Sequence, residues 1–202
     1  TVSDFIGSTW ITSRLKEFRE NCPNIQLTVL FDDRILNLGM READAALRLT
    51  RSKQNDLIQK KLTDINFHIC AATEYLDEHG RPESVDDLKD HWLLGFPQAT
   101  FAPFDNANWL FDVAGADYDS NNKLLMMNSM YAIVKSARIG AGIAALPDFL
   151  IAENPNLEIL LPDLARDPVS LYFVYPQERQ HSKCISALRE FLVESLKKHG
   201  IR

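Results

Sequence analysis

Gly140-Ala141-Gly142-Ile143-Ala144-Ala145-Leu146-Pro147-Asp148-Phe149 is the stretch that decides the fold. Gly140 follows an apolar-periodic run from Met130 to Ile139 and supplies the residue that most easily turns a helix end. Ile143 to Leu146 then reads as a strand of small and branched residues, and Pro147 suits the first position of a further helix. Helix, strand and helix in so short a span is the rhythm of an α/β protein.

The same alternation extends outward in both directions. Residues 2–6 read as a short strand. Ile11, Leu15, Phe18 and Cys22 share one helical face that Pro23 closes. Ile25 to Phe31 is rich in β-formers and predicts a strand, followed by a short helix from Ile35 to Met40 and a strand from Ala45 to Leu49. Leu57 to Ala72 is extended with one interruption near Thr63-Asp64. Glu74 to His79 forms a helical turn stopped by Gly80 and Pro82, and Ser84 with Asp87 makes a capping-box start. The aromatic stretch from Gly95 to Asn108 predicts a partly buried loop. Trp109–Phe111 and Leu124–Met127 read as strands separated by an Asn- and Asp-rich turn. Asn128 or Ser129 caps the Met130 helix, Val169 to Tyr175 alternates as a strand, and the last helix starts near Ser182.

Composition sets bounds on function. With 202 residues, 46% of them hydrophobic and 25% charged, the chain can build one domain or two small ones. No apolar run approaches the roughly 18 residues needed to span a bilayer. A net charge of −6 argues against this segment gripping a phosphate backbone. Three cysteines, Cys22, Cys70 and Cys184, are few and odd in number, which favours a reducing cytoplasm. The chain opens Thr1-Val2-Ser3 without Met and with an apolar strand under way, so a processed or truncated N-terminus is expected. There is no G-x-S-x-G, H-E-x-x-H, G-x-G-x-x-G or phosphate loop. His181 and Cys184 have helical spacing but no neighbouring ligands, so a metal is not expected.

Five landmarks occur in a specific order. They are Gly7-Ser8-Thr9 before the helix that reaches Cys22-Pro23-Asn24-Ile25, and Arg41-Glu42-Ala43-Asp44-Ala45-Ala46-Leu47-Arg48-Leu49. Cys70-Ala71-Ala72-Thr73-Glu74-Tyr75-Leu76 follows, then the Gly140–Phe149 stretch and a terminal helix ending in Phe191-Leu192. In this order, across nearly the whole chain, they resemble the effector-binding region of LysR-type transcriptional regulators.

That resemblance implies two Rossmann-like α/β subdomains joined by two crossover strands, the type 2 periplasmic-binding-protein fold. Residues 1–71 and 146–202 would form the first subdomain and residues 72–145 the second. It implies a sensor of a small polar or anionic effector in the cleft between them. DNA would be bound only by an N-terminal winged helix-turn-helix lying outside this chain. A homodimer or homotetramer is expected, paired through a face that includes Ile25–Phe31, with no membrane association, cofactor or catalysis. A periplasmic solute-binding protein of an ABC transporter is the alternative on the same fold.

Eight residues are the candidate ligand contacts. Ser8 and Thr9 precede one helix and Asn128 and Ser129 another, where backbone N–H groups favour an anion; all four are equally readable as N-caps. Arg48, near a strand end, can take a carboxylate or pair internally with Asp44. Phe96 and Gln98, with Pro97 between them, form an opposite wall or merely pack. Trp10 covers an apolar ligand body or packs on its own helix.

Overall fold

Every residue of Ile143–Pro147 is buried, and this strand is the middle member of a five-stranded sheet. The computed structural model describes residues 1–98, 102–118, 122–164 and 166–199. In chain order the strands are β1 (Ala46–Arg48), β2 (Leu57–Ile65), β3 (Phe67–Ala72), β4 (Leu93–Gly95), β5 (Leu124–Met126), β6 (Ile143–Pro147), β7 (Leu157–Leu160) and β8 (Val169–Pro176). The α-helices are α1 (Asp4–Ile6), α2 (Leu15–Asn21), α3 (Thr73–His79), α4 (Trp109–Val113), α5 (Met130–Arg138), α6 (Asp148–Ala152) and α7 (Lys183–His199).

The chain divides into two compact units, Thr1–Ile65 with the segment from Val169 onward, and Asn66–Pro168. The first holds the antiparallel sheet β1-β8-β2. Val2 adds single parallel bridges to Phe31 and Leu47. Its core includes Phe5, Ile6, Trp10, Leu47, Phe173 and Leu192. The second holds the sheet β5-β4-β6-β3-β7, in which β4 runs parallel to β5 and β6 while β3 runs antiparallel to β6 and β7. These units divide at 65/66 and 168/169, whereas the sequence suggested 71/72 and 145/146. The difference has a simple cause. Strands β3 and β6 pair with each other and with β4 and β7, so they travel with the second unit.

Local chemistry explains most element ends. Ser84 and Asp87 form the expected capping box, and Gly80 (φ 85°) and Gly140 (φ 77°) follow α3 and α5 in left-handed geometry. A Cβ at Gly142 would strike the Trp92 carbonyl, so only glycine admits β6 beside that chain.

Several expected elements differ. Residues 2–6 are one bridge followed by helix, because Ser3 caps Ile6 and the Asp4 N–H finds the Asp33 carboxylate at 3.1 Å. Ile25–Phe31 is extended but, among the described residues, bridges only at Phe31, with nothing paired to its outer edge. Ile35–Met40 is irregular with turns, organised by Asn37, which accepts the Met40 N–H. Trp109–Phe111 is helical: Phe111 and Asp112 donate back to Asn108, and three large buried side chains fit one helical turn as well as a strand. Strand β7 carried no expectation. Phe101 and residues 119–121, within the predicted loop and turn, lie outside the described residues.

Candidate functional site

The first unit concentrates its unusual chemistry at Arg48. Strand β1 alternates, so Ala46 and Arg48 share the sheet face opposite Leu47. The Arg48 side chain is only 7% exposed. Its Nη2 donates to the Leu36 carbonyl at 2.8 Å, while Nη1 is buried with no hydrogen-bond partner. Among the described residues no carboxylate lies within ion-pair distance of it, and Asp44 instead pairs with Arg179 at 2.9 Å. Burial draws the Arg48 pKa below the ordinary arginine value. An uncompensated buried charge of this kind costs several kcal/mol.

Ser8 and Thr9 are not at a helix start. The helical chain begins at Asp4, runs through a π-helical segment (Gly7–Ile11) and a 3₁₀ turn (Thr12–Arg14), and continues as α2. The Ser8 hydroxyl donates to the Asp4 carbonyl at 2.6 Å and Thr9 to Phe5 at 2.7 Å. Both donors are therefore spent inside the helix, and neither residue is a cap. The true N-terminus is already served by Ser3 and by Asp33, whose carboxyl is raised above its usual value, chiefly by burial. Trp10 is a core residue, 1% exposed, with Nε1 unpartnered and the Arg14 guanidinium over its ring at 4.5 Å.

In the second unit Ser129, rather than Asn128, caps α5 by accepting the Ala132 N–H at 3.4 Å. Asn128 and Gln98 are exposed. Phe96 is buried, and its backbone is fully paired: Asn108 accepts the Phe96 N–H and donates to the Phe96 carbonyl, both at 2.8 Å. Asn108 also donates to the Tyr118 hydroxyl at 2.7 Å. The structure thus places Ser8, Thr9, Trp10 and Arg48 in one unit and Phe96, Gln98, Asn128 and Ser129 in the other. None of the eight lines the groove of about 350 Å³ walled by Phe18, Leu27, Ile185 and Leu188, or that of about 540 Å³ between Pro82–Val85 and Leu161–Leu164.

A separate polar cluster is buried in the second unit. The Trp92 N–H donates to the Tyr75 oxygen at 3.0 Å, and the Tyr75 hydroxyl shares a hydrogen bond with His91 Nδ1 at 3.2 Å. The His91 pKa is lowered, by burial first and then by His79 and Lys123. Burial also pushes the Cys70 thiol up to about 12, which makes it inert. Sequence reasoning missed Asn108 and Arg166. Each sits in irregular chain, where periodicity carries no signal.

The LysR substrate binding domain family matches residues 1–197. The chain belongs to that family. Curated relatives include the HTH-type transcriptional regulator CrgA of Neisseria meningitidis serogroup C, 30% identical over 89% of this chain and 60% of its own. An uncharacterized HTH-type transcriptional regulator of Haemophilus influenzae is 27% identical over 86% of this chain and 60% of its own. The chain thus spans about 60% of the length of these relatives. The CrgA regulatory domain superposes with a TM-score of 0.79 at 25% identity, covering 96% of each chain. The effector domain of AmpR from Pseudomonas aeruginosa shares the fold, with a TM-score of 0.72 at 19% identity over 98% of this chain and 94% of its own.

As a LysR substrate binding domain, the chain has the type 2 periplasmic-binding-protein-like α/β fold and is an effector-binding regulatory domain. The homologues are transcriptional regulators, not transporter binding proteins, which disposes of the solute-binding alternative. Among the described residues no helix is long and apolar enough to cross a membrane, and no three His, Cys, Asp or Glu side chains cluster as for a metal.

Proposed function

We propose that this domain senses a small anionic effector through Arg48. The carrying observation is the buried guanidinium with one unspent nitrogen and no carboxylate partner. A carboxylate, phosphate or sulfonate supplies the missing charge and acceptor in one step. Ser8, Thr9 and Trp10 in the first unit, and Phe96, Gln98, Asn128 and Ser129 in the second, are the further candidate contacts.

In the intact protein a winged helix-turn-helix upstream would bind DNA, and effector binding would shift the arrangement of those domains by its differential affinity for two states. The domain acts by binding, in the cytoplasm, without cofactor or catalysis. It works as a homodimer or homotetramer. Leu27, Leu30 and Phe31 are exposed along a segment whose residues Gln26–Val29 make no backbone hydrogen bond among the described residues. An apolar edge of this kind suits a second copy.

Thermal shift of the 202-residue chain against matched anionic and neutral small molecules tests the sensing claim. Stabilisation by at least one anionic class, absent from its neutral amide or ester, is expected. A chain that responds equally to both forms, or to neither, refutes an anion sensor. Sedimentation at high micromolar concentration tests the pairing, and a clean monomer counts against it.

A further inference from the structure

Arg166 occupies a place that none of the effector residues explains. Its Nη1 donates to the Asn106 carbonyl at 3.1 Å, Nη2 to Asp105 at 3.4 Å and Nε to Asp167 at 3.1 Å. The guanidinium carbon also lies 5.5 Å from the Phe67 ring centroid and 5.2 Å from that of Phe104, and the two rings are 5.0 Å apart. One half-buried side chain therefore joins three stretches of backbone.

Those stretches are significant in the topology. The chain passes between its two compact units twice, at Ile65/Asn66 and at Pro168/Val169. Phe67 is the first residue of β3, immediately after one crossing, and Asp167 lies just before the other. Asp105 and Asn106 belong to the arm that Asn108 ties to Phe96 through both backbone groups of that residue. Asn106 itself sits at φ 55°, a left-handed conformation that asparagine accepts more readily than most residues. The contacts form an unbroken path from Phe96 through Asn108, the 104–106 turn and Arg166 to both crossings.

We propose that Arg166 is a positioning residue that binds the 102–108 arm and the two crossings into one mechanical body, so that a ligand held against Phe96 and Gln98 biases the crossings. The signalling role rests on the effector reading above; the physical tie does not. Arginine suits this task because a planar fork serves several carbonyls while its faces stack on rings, and lysine offers neither. A contiguous path alone is not proof of coupling, so coupling is what must be measured.

Hydrogen exchange of the ligand-free 202-residue chain, read by mass spectrometry, measures it. In Arg166→Gln, amides in 102–108 and in 66–69 should exchange faster by about tenfold or more, while Leu157–Leu160 at the far sheet edge is unchanged. Arg166→Lys should behave like the glutamine variant. Phe104→Leu, which removes one ring and leaves the carbonyl acceptors in place, should also speed exchange at 66–69 and keeps the test alive if Arg166→Gln does not fold. Faster exchange confined to 102–108, no change at all, or full protection in Arg166→Lys would overturn the proposal. A wild-type chain that ignores every anion would end the effector reading yet leave this exchange result standing.

Discussion

Arg48 in the first unit and Arg166 in the second begin alike and end differently. Burial lowers the pKa of both. Neither has a carboxylate within ion-pair distance among the described residues. Arg166 nevertheless spends its nitrogens on three carbonyls and its faces on two rings. Arg48 meets one carbonyl and keeps a buried nitrogen idle. Burial therefore does not distinguish a structural arginine from a receptive one. Saturation separates the two: Arg166 is a satisfied cation, and Arg48, with a nitrogen unspent, is the one proposed above to take an anion.

Replacing each arginine is the strongest way to break this contrast. Arg48→Met should weaken binding of a responsive anion about ten- to a hundredfold, the value of a charge-assisted hydrogen bond. Urea denaturation without ligand should then find the variant as stable as the parent, or more stable by about 1–4 kcal/mol, because an unpaired buried charge has gone. Arg166→Gln should move the other way and cost about 1–3 kcal/mol without ligand, since carbonyls lose their donors. Equal signs in the two variants would erase the distinction between tie and receptor.

Ser129→Ala sharpens it at lower amplitude. As the N-cap of α5 its loss should cost about 1 kcal/mol of stability whatever the ligand does. Only a further loss of anion affinity beyond the parent's would place Ser129 in the site as well as at the cap.

The smallest effect concerns pH, because guanidinium groups do not titrate near neutrality and His91 does. Burial holds its folded pKa below the ordinary 6.5, with His79 and Lys123 acting in the same sense and Asp90 and Asp87 opposing them. The fold favours the neutral ring, so its contribution is present above about pH 6.5 and is lost as pH falls below that value. The urea midpoint should drop between about pH 7.5 and pH 5.5, and less so in His91→Asn, which keeps an acceptor for Tyr75. An equal drop in both would assign the acid sensitivity elsewhere.

How much of this was legible in the sequence differs by residue. Gly140, Ser84 with Asp87, and the all-apolar Ile143–Leu146 acted through local backbone chemistry, and each appears where it was expected. The Ile25–Phe31 strand and the Trp109–Phe111 strand failed for a different reason. A strand exists only with a partner, and three apolar residues in a row fit a helical turn equally well. Among the candidate site residues, Arg48 stood out in the sequence because a charge inside an apolar strand is costly wherever it lands, and the structure buries it. The displaced role of Ser8 and Thr9 was hidden, because Ser3 and the distant Asp33 claimed the helix start first. Arg166 was invisible, since its acceptors are backbone carbonyls and carry no side-chain signature.

The π-helical segment between α1 and α2 has a consequence for insertions and deletions. Thr12 donates to the carbonyl of Gly7, five residues back, so this turn holds one residue more than an α-turn. That surplus residue is absorbed without turning what lies before it. Deleting one residue between Gly7 and Ile11 would let the helix run as continuous α, and because a π turn and an α turn wind through nearly the same rotation, Asp4–Ile6 would keep its face toward the core. Phe5 and Ile6, 1% and 0% exposed, would stay in place. Deleting one residue from α2 instead would turn everything before it by about 100° and pull both out. The segment works as a vernier on the helix, taking up one residue of length without a change of phase.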